Sequence, residues 1–131
     1  MNPSLLRTIL YVDDEPDIRE IVHMALTEAG ALTVHLCGSG QEALERLPQL
    51  KPDFVLLDVM MPGMDGPMTL RRMREDPALA RIPVGFMTAK AMPQEVARFR
   101  ALGAIGVIAK PFDPMRLAQQ VTALWNEASD V

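Results

Sequence analysis

Residues 54–66 read FVLLDVMMPGMDG, and this stretch decides the fold. Its first four residues are apolar without the alternation of a half-exposed strand, a pattern typical of a strand that is buried on both faces of a parallel sheet. The run ends on the carboxylate of Asp58, and Pro62 and Gly63 then predict a turn. We expect this turn to leave Asp58 exposed at the end of a buried strand, which raises the question of what an acid does there.

Short apolar runs and amphipathic stretches alternate along the rest of the chain. The apolar runs predict strands at 8–12, 33–37, 54–57, 84–87 and 106–109. The amphipathic stretches predict helices at 17–29, 40–47, about 68–75, 94–102 and about 114–127. Asp113 is the expected N-cap of the last helix, with Pro114 at its first position. Alternation of this kind indicates an α/β fold, a doubly wound parallel sheet of five strands flanked by five helices.

Composition limits the function. The 131 residues correspond to a single domain, and a net charge of −4 lacks the basic surface that direct nucleic-acid binding requires. The N-terminal residues contain neither a membrane span nor a signal peptide, so we predict a cytoplasmic protein without membrane insertion. The only cysteine, Cys37, cannot form an internal disulfide, which fits a reducing compartment.

Polar residues follow four of the predicted strands. Asp13 and Asp14 follow the first strand, Asp58 the third, Thr88 the fourth and Lys110 the fifth. Sheets of this type bind ligands outside the carboxyl ends of their strands, so we expect these side chains to converge. Three carboxylates in one cleft repel each other unless a hard cation such as Mg²⁺ binds between them. Asp58 could then be a nucleophile toward a phosphoryl group whose oxygens Lys110 and Thr88 stabilise.

The same motifs resemble those of a known family. YVDDEP at 11–16, LLDVMMPGMDG at 56–66, MTAK at 87–90 and AKPF at 109–112 occur in the order found in bacterial two-component response regulator receiver domains of the chemotaxis-regulator kind. The resemblance covers about residues 7–127 of one receiver domain, 1–131. It implies a flavodoxin-like sheet with the strand order 2-1-3-4-5. It also implies a phosphoacceptor switch of a phosphorelay that changes protein–protein interactions.

The resemblance implies the phosphoacceptor and the metal ligands. Asp58 would accept phosphate from the phosphohistidine of a histidine kinase or a histidine phosphotransfer protein. Mg²⁺ would be the cofactor, and one of the two aspartates after the first strand would bind it directly and the other through water. The metal ligands would be Asp13, Asp14, Asp58 and the backbone carbonyl of Met60.

The resemblance also implies a switch, from which the sequence departs at one position. Lys110 would pair with the phosphoryl oxygens, Thr88 would move toward the phosphate, and the Lys110–Pro111 peptide would be cis. Receiver domains usually carry Tyr or Phe three residues before this lysine, where the chain has Val107. We expect phosphorylation to be retained and the usual readout through helix 4, strand 5 and helix 5 to lack its aromatic ring.

Such a receiver would catalyse only its own phosphorylation and dephosphorylation, so we do not predict an enzyme that acts on a metabolite. It would act on a downstream protein target. No output domain is expected, which leaves a stand-alone receiver or a fragment of a longer regulator.

Other interpretations stay open at this point. Taken alone, Asp58 could be an ordinary turn former or helix cap and Thr88 a cap. Asp13 and Asp14 could be a solvated helix start, and Lys110 a surface charge. A receiver fold that binds its partner regardless of phosphate is supported by Val107. A flavodoxin-like redox protein is disfavoured by the loop DDEPD at 13–17, because a flavin phosphate needs N–H donors there rather than acids.

Overall fold

The computed structural model describes residues 5–129, in which five strands alternate with five helices. The strands are β1 (Thr8–Val12), β2 (Thr33–Cys37), β3 (Phe54–Asp58), β4 (Val84–Thr88) and β5 (Val107–Ala109). The helices are α1 (Pro16–Glu28), α2 (Gly40–Leu50), α3 (Gly66–Glu75), α4 (Pro93–Ala101) and α5 (Leu117–Ser129). Within residues 5–129, no helix combines the length and the apolar character needed to cross a bilayer.

The strands form one parallel sheet in the order β2-β1-β3-β4-β5, so the predicted order is confirmed. β1 lies between β2 and β3, with Tyr11 paired to Leu36 on one side and to Leu56 on the other. β4 follows β3, with Met87 paired to Asp58. The order of the strands reverses between β1 and β3, and the crevice at their carboxyl ends is where folds of this type bind ligands.

Apolar clusters cover both faces of the sheet, which explains the continuous apolar run in β3. One cluster joins the sheet to α2, α3 and α4, and the other joins it to α1 and α5. Successive strand residues point to opposite faces, so Leu56 lies in the second cluster and Leu57 in the first. All five residues of β3 are buried, which confirms the prediction of a strand buried on both faces.

Most predicted helix and strand boundaries lie within two residues of the observed ones, but the end of α2 does not. The amphipathic pattern predicted an end at Leu47, and the next residue, Pro48, has no backbone N–H to donate. The helix instead continues to Leu50. The N–H of Lys51 donates to the carbonyl oxygen of Leu47 at 3.0 Å, which closes the turn that contains the proline, and Lys51 then ends the helix with a left-handed φ of 46°.

The start of α5 also differs from the prediction. The helix begins at Leu117 rather than at residue 114. Asp113 does accept a hydrogen bond from the N–H of Met115, at 2.9 Å, as a capping side chain would. That bond stabilises a turn ahead of the helix, so Asp113 is not the N-cap of α5, and the predicted helix start was three residues too early.

Candidate functional site

Asp13, Asp58 and Lys110 meet at the carboxyl edge of the sheet. Asp13 directly follows β1, Asp58 is the last residue of β3, and Lys110 directly follows β5. The ammonium nitrogen of Lys110 lies 3.1 Å from Asp13 Oδ2 and 3.1 Å from Asp58 Oδ1. Residues that are distant in sequence therefore form one ion-pair cluster, and the predicted convergence is observed.

Asp14 completes a group of three carboxylates. One oxygen from each of Asp13, Asp14 and Asp58 lies within 4.8 Å of the other two. Asp13 is fully buried, whereas Asp14 is exposed to solvent. The positive charge of Lys110 balances only one of the three negative charges of these carboxylates. A hard divalent cation with oxygen ligands would balance the remaining negative charge. The chemistry of this donor set fits Mg²⁺.

Asp13 is held by more donors than the sequence predicted. Its Oδ1 accepts from the N–H of Glu15 at 2.9 Å, and its Oδ2 accepts from the hydroxyl of Tyr11 at 2.6 Å and from Lys110 at 3.1 Å. Its carbonyl oxygen accepts from Nη1 of Arg19 at 2.6 Å. Sequence reasoning missed Tyr11 and Arg19. Strand spacing was the available signal for Tyr11, because residues two apart in a strand lie on the same face.

Asp58 is buried, and the expectation that the turn leaves it exposed was wrong. Its side chain is only 6 % accessible, because Asp58 is part of β3 and pairs with Met87 inside the sheet. Burial raises the pKa of Asp58 to about 6, the charge of Asp13 adds to this rise, and Lys110 opposes it. The repulsion between carboxylates that the sequence predicted is therefore present, but burial is the larger cause. Asp58 remains mainly ionised at neutral pH.

Lys110 and Tyr11 are protonated donors in this cluster. Burial alone would lower the pKa of Lys110, but its hydrogen bonds and charge interactions with Asp58 and Asp13 outweigh burial and raise it. Burial and the hydrogen bond to Asp13 raise the pKa of the Tyr11 phenol above its ordinary value. Both groups therefore keep their protons at neutral pH.

Thr88 is the last residue of β4 and lies at the same edge, 4 % exposed. Its hydroxyl oxygen accepts from the N–H of Lys90 at 3.0 Å, and its carbonyl oxygen accepts from the N–H of Lys110 at 2.8 Å. A hydroxyl has one hydrogen and two lone pairs, so Thr88 can still donate to an oxygen in the crevice. The Lys110–Pro111 peptide is cis, as the resemblance implied.

Met60 and Val107 occupy different parts of the structure. Met60 lies two residues after Asp58 and is 78 % exposed, and Gly63 beyond it makes the predicted turn with a φ of 75°. Val107 is half-buried at the start of β5 and pairs with Phe86 of β4. Phe86 forms an edge-to-face ring pair with Phe99 of α4, with ring centroids 4.9 Å apart. The aromatic contact on this side of the sheet therefore joins β4 to α4 and does not involve β5.

Known proteins similar to this chain are response regulators and receiver domains. A sequence model of the response regulator receiver domain matches residues 9–122. Response regulator Rre1 of Synechocystis sp. is 37 % identical over 110 residues, which cover 84 % of this chain and 48 % of that protein. The chain spans about half the length of the curated relatives it matches.

Solved structures of receiver domains share the fold, and two examples illustrate the similarity. The chemotaxis response regulator CheY4 of Vibrio cholerae has a TM-score of 0.83 at 29 % identity, with 91 % of this chain and 98 % of that chain covered. The N-terminal domain of a response regulator receiver protein from Methanoculleus marisnigri JR1 has a TM-score of 0.74 at 41 % identity, with 90 % and 94 % covered.

Proposed function

The chain belongs to the response regulator receiver domain family, and we propose that it is a phosphoacceptor switch in which Asp58 takes a phosphoryl group from a phosphohistidine. The observation that carries this proposal is the contact of Lys110 Nζ with both Asp13 and Asp58, at 3.1 Å each, beside the carboxylate of Asp14. Family membership supplies the two-component context, and this geometry supports the assignment of individual residues.

Phosphoryl transfer to Asp58 forms one bond and breaks another. A carboxylate oxygen of Asp58 attacks phosphorus, the P–N bond of the phosphohistidine breaks, and the imidazole nitrogen keeps the electron pair. The attack requires an ionised carboxylate, and a pKa of about 6 keeps Asp58 ionised at neutral pH. The product is an acyl phosphate at the carboxyl edge of β3.

The neighbours of Asp58 stabilise the charge of the transferred group. Mg²⁺ supplies charge neutralisation at the phosphoryl oxygens when it is bound. It would be held by Asp13, Asp14, Asp58 and the backbone carbonyl of Met60. Lys110 exchanges its contact with the Asp58 carboxylate for a phosphoryl oxygen, and the Thr88 hydroxyl donates its hydrogen to another.

The proposed activity is confined to the chain itself. The chain catalyses its own phosphorylation and the later hydrolysis of the acyl phosphate, and it signals to a downstream protein. A histidine kinase or a histidine phosphotransfer protein is the proposed donor. The cytoplasmic location and the single domain over residues 1–131 stay predictions.

Labelling by a small phosphodonor tests this proposal, and it should require Mg²⁺. We expect acetyl phosphate with Mg²⁺ to add one phosphoryl group, and excess EDTA to slow the reaction by about 10²-fold or more, because the incoming oxygens then face Asp13 and Asp14 without a cation. Intact-protein mass spectrometry measures the added group. Equal rates with and without EDTA would contradict the metal site, and no labelling under either condition would contradict the proposed function.

An apolar groove beside Lys110 suits the docking of a phosphodonor protein. Its lining joins α1 to the loop after β5 and consists of Glu15, Ile18, Ile21, Ala89, Lys110, Pro111, Phe112 and Pro114. Past Ile21 and Pro114 the groove continues to Met24 and Met115, which are 54 % and 84 % exposed. A donor must bring its phosphohistidine to Asp58, and exposed apolar area next to the site provides a contact surface for it. We propose that the donor docks here.

Ile21→Arg should separate docking from chemistry. The substitution places a charge in the groove, so transfer from a histidine kinase or phosphotransfer protein that labels the wild type should slow by about tenfold or more. Labelling by acetyl phosphate should not change, because none of the described hydrogen bonds and ion pairs of the carboxylate cluster involves Ile21. Thr27→Arg, on an exposed position of α1 outside the groove lining, is the matched control. Equal transfer to the Ile21→Arg and Thr27→Arg variants would exclude this groove as the docking surface.

A second candidate function is a receiver fold that binds its partner regardless of phosphate. Val107 favours it, because a half-buried valine at this position has no ring to reorient when Thr88 moves. Beryllofluoride, a mimic of the phosphoryl group, distinguishes the two functions. The phosphoacceptor switch requires partner affinity to change when beryllofluoride and Mg²⁺ are added, whereas a phosphate-independent module requires it to stay the same.

A further inference from the structure

Tyr11 is the only tyrosine of the chain, and it is fully buried. It lies on β1 two residues before Asp13, and the backbone pairing continues past the strand, because the N–H of Asp13 donates to the carbonyl oxygen of Cys37 at 3.1 Å. This spacing on an extended chain places both side chains on the same side. Its hydroxyl lies 2.6 Å from Asp13 Oδ2 and 3.5 Å from the sulfur of Met87. A carboxylate is a much stronger acceptor than a thioether, so the hydrogen goes to Asp13.

Tyr11 and Lys110 share one oxygen of Asp13, and the proposed chemistry affects them differently. Oδ2 accepts from the Tyr11 hydroxyl and from the Lys110 ammonium, whereas Oδ1 accepts from the backbone N–H of Glu15. The proposed function draws the ammonium toward the phosphoryl group. Among the described side chains that donate to the Asp13 carboxylate, the Tyr11 hydroxyl is then the one that keeps its contact, whereas Arg19 donates to the backbone carbonyl oxygen of Asp13.

We propose that Tyr11 is a positioning residue of the Mg²⁺ site, which fixes the Asp13 carboxylate through Oδ2 while Mg²⁺ binds and Lys110 moves. This inference rests on the proposed function, because it takes Asp13 as a metal ligand. Hydrogen bonds from neighbouring groups orient carboxylate ligands, and their loss typically weakens metal binding by 10–100-fold. The sequence analysis placed Tyr11 in the first strand and in the motif YVDDEP, and it predicted no contact with Asp13.

Tyr11→Phe tests the proposal, because it keeps the buried ring and removes only the hydroxyl. We expect the Mg²⁺ dissociation constant of the unphosphorylated protein to rise about tenfold in titration calorimetry. Thr69→Val is the matched control, since Thr69 is also fully buried and donates its hydroxyl to the carbonyl oxygen of Asp65 at 2.8 Å. The control should lose some thermal stability without a change in Mg²⁺ affinity.

Because Tyr11 is the single tyrosine, it also allows a spectroscopic test. A tyrosine that only stabilised the fold would show no change that follows Mg²⁺ binding. The ¹³Cζ resonance of labelled tyrosine reports on Tyr11 alone, and we expect it to shift in wild-type protein in parallel with Mg²⁺ saturation. If the wild type binds Mg²⁺ while Tyr11→Phe keeps the same affinity, or if the resonance does not move, the positioning proposal is wrong and the proposed function stands. If the wild type does not bind Mg²⁺, both are wrong.

Discussion

Asp58→Asn should abolish labelling of the chain by acetyl phosphate and Mg²⁺. The amide has no anionic oxygen to attack phosphorus. Among the described carboxylates, only Asp13 also contacts Lys110. Asp13 does not replace Asp58 as the nucleophile, because it is fully buried and already accepts hydrogen bonds from Tyr11 and Glu15. The measurement is intact-protein mass spectrometry over time. We expect no detectable phosphoryl group on the variant under conditions that label the wild type.

Asp65→Asn is the matched control for this substitution. Asp65 accepts from the N–H of Met68 at 2.8 Å at the start of α3, and asparagine caps a helix about as well as aspartate. The control variant should therefore be labelled at the wild-type rate. Labelling of Asp58→Asn to the level of this control would refute the assignment of Asp58 as the phosphoacceptor.

Asp58→Asn should also stabilise the metal-free fold. The pKa of Asp58 is raised to about 6 in the folded chain from the ordinary value of 3.8, so the folded state binds the proton more tightly than the unfolded state does. The stability linked to this group is therefore largest below pH 4 and is lost as the pH rises through about 6. In EDTA at pH 7.5, removal of the buried charge should raise the free energy of unfolding by about 1–3 kcal/mol. Denaturant unfolding of Asp58→Asn and wild type measures this difference.

Lys110→Met should slow phosphorylation by about 10²–10³-fold, the second-largest effect we expect. The methionine keeps an unbranched side chain of similar length but removes the cation that contacts Asp13 and Asp58 at 3.1 Å. The transferred phosphoryl oxygens then lose a positive partner. In the metal-free site, the two carboxylates also repel each other without the ammonium, which raises the pKa of Asp58 further and leaves a smaller fraction of it ionised near neutral pH. The rate of acetyl phosphate labelling at saturating Mg²⁺ measures the loss.

Lys90→Met is the control that distinguishes this cation from charge in general. Lys90 is an exposed lysine near the same edge of the sheet, and its backbone N–H, which donates to Thr88, is unaffected by a side-chain change. The control should keep the labelling rate within a few-fold of the wild type. A rate for Lys110→Met that matches the Lys90→Met rate would show that Lys110 makes no special contribution.

The architecture could be predicted from the sequence because local patterns determine it. The short apolar run before Asp58 favours a strand that is covered on both faces, and the alternation of strands with amphipathic stretches then favours a parallel sheet. The convergence of Asp13, Asp58 and Lys110 follows from the sheet, because parallel strands place their carboxyl ends at one edge. Sequence reasoning could therefore predict that these three residues lie close together.

Contacts that depend on side-chain placement in three dimensions could not be predicted in the same way. The burial of Asp58 depends on whether β3 ends before or after that residue, a difference of one position that the apolar pattern does not resolve. Arg19 reaches the carbonyl oxygen of Asp13 from α1, and neither charge nor spacing singles it out among ten arginines. The hydrogen bond from Tyr11 to Asp13 was not predicted, because a tyrosine in a buried strand is ordinarily interpreted as a packing residue.

The location of the phosphoryl group tests the central claim most directly. Wild-type protein incubated with acetyl phosphate and Mg²⁺ is digested rapidly, and tandem mass spectrometry locates the added group. We predict a single phosphoryl group on the peptide that contains FVLLDVMMPGMDG, at Asp58, and its release by hydroxylamine as expected of an acyl phosphate. A phosphoryl group on any other residue, such as His23 or His35, or a hydroxylamine-stable linkage, would contradict the account.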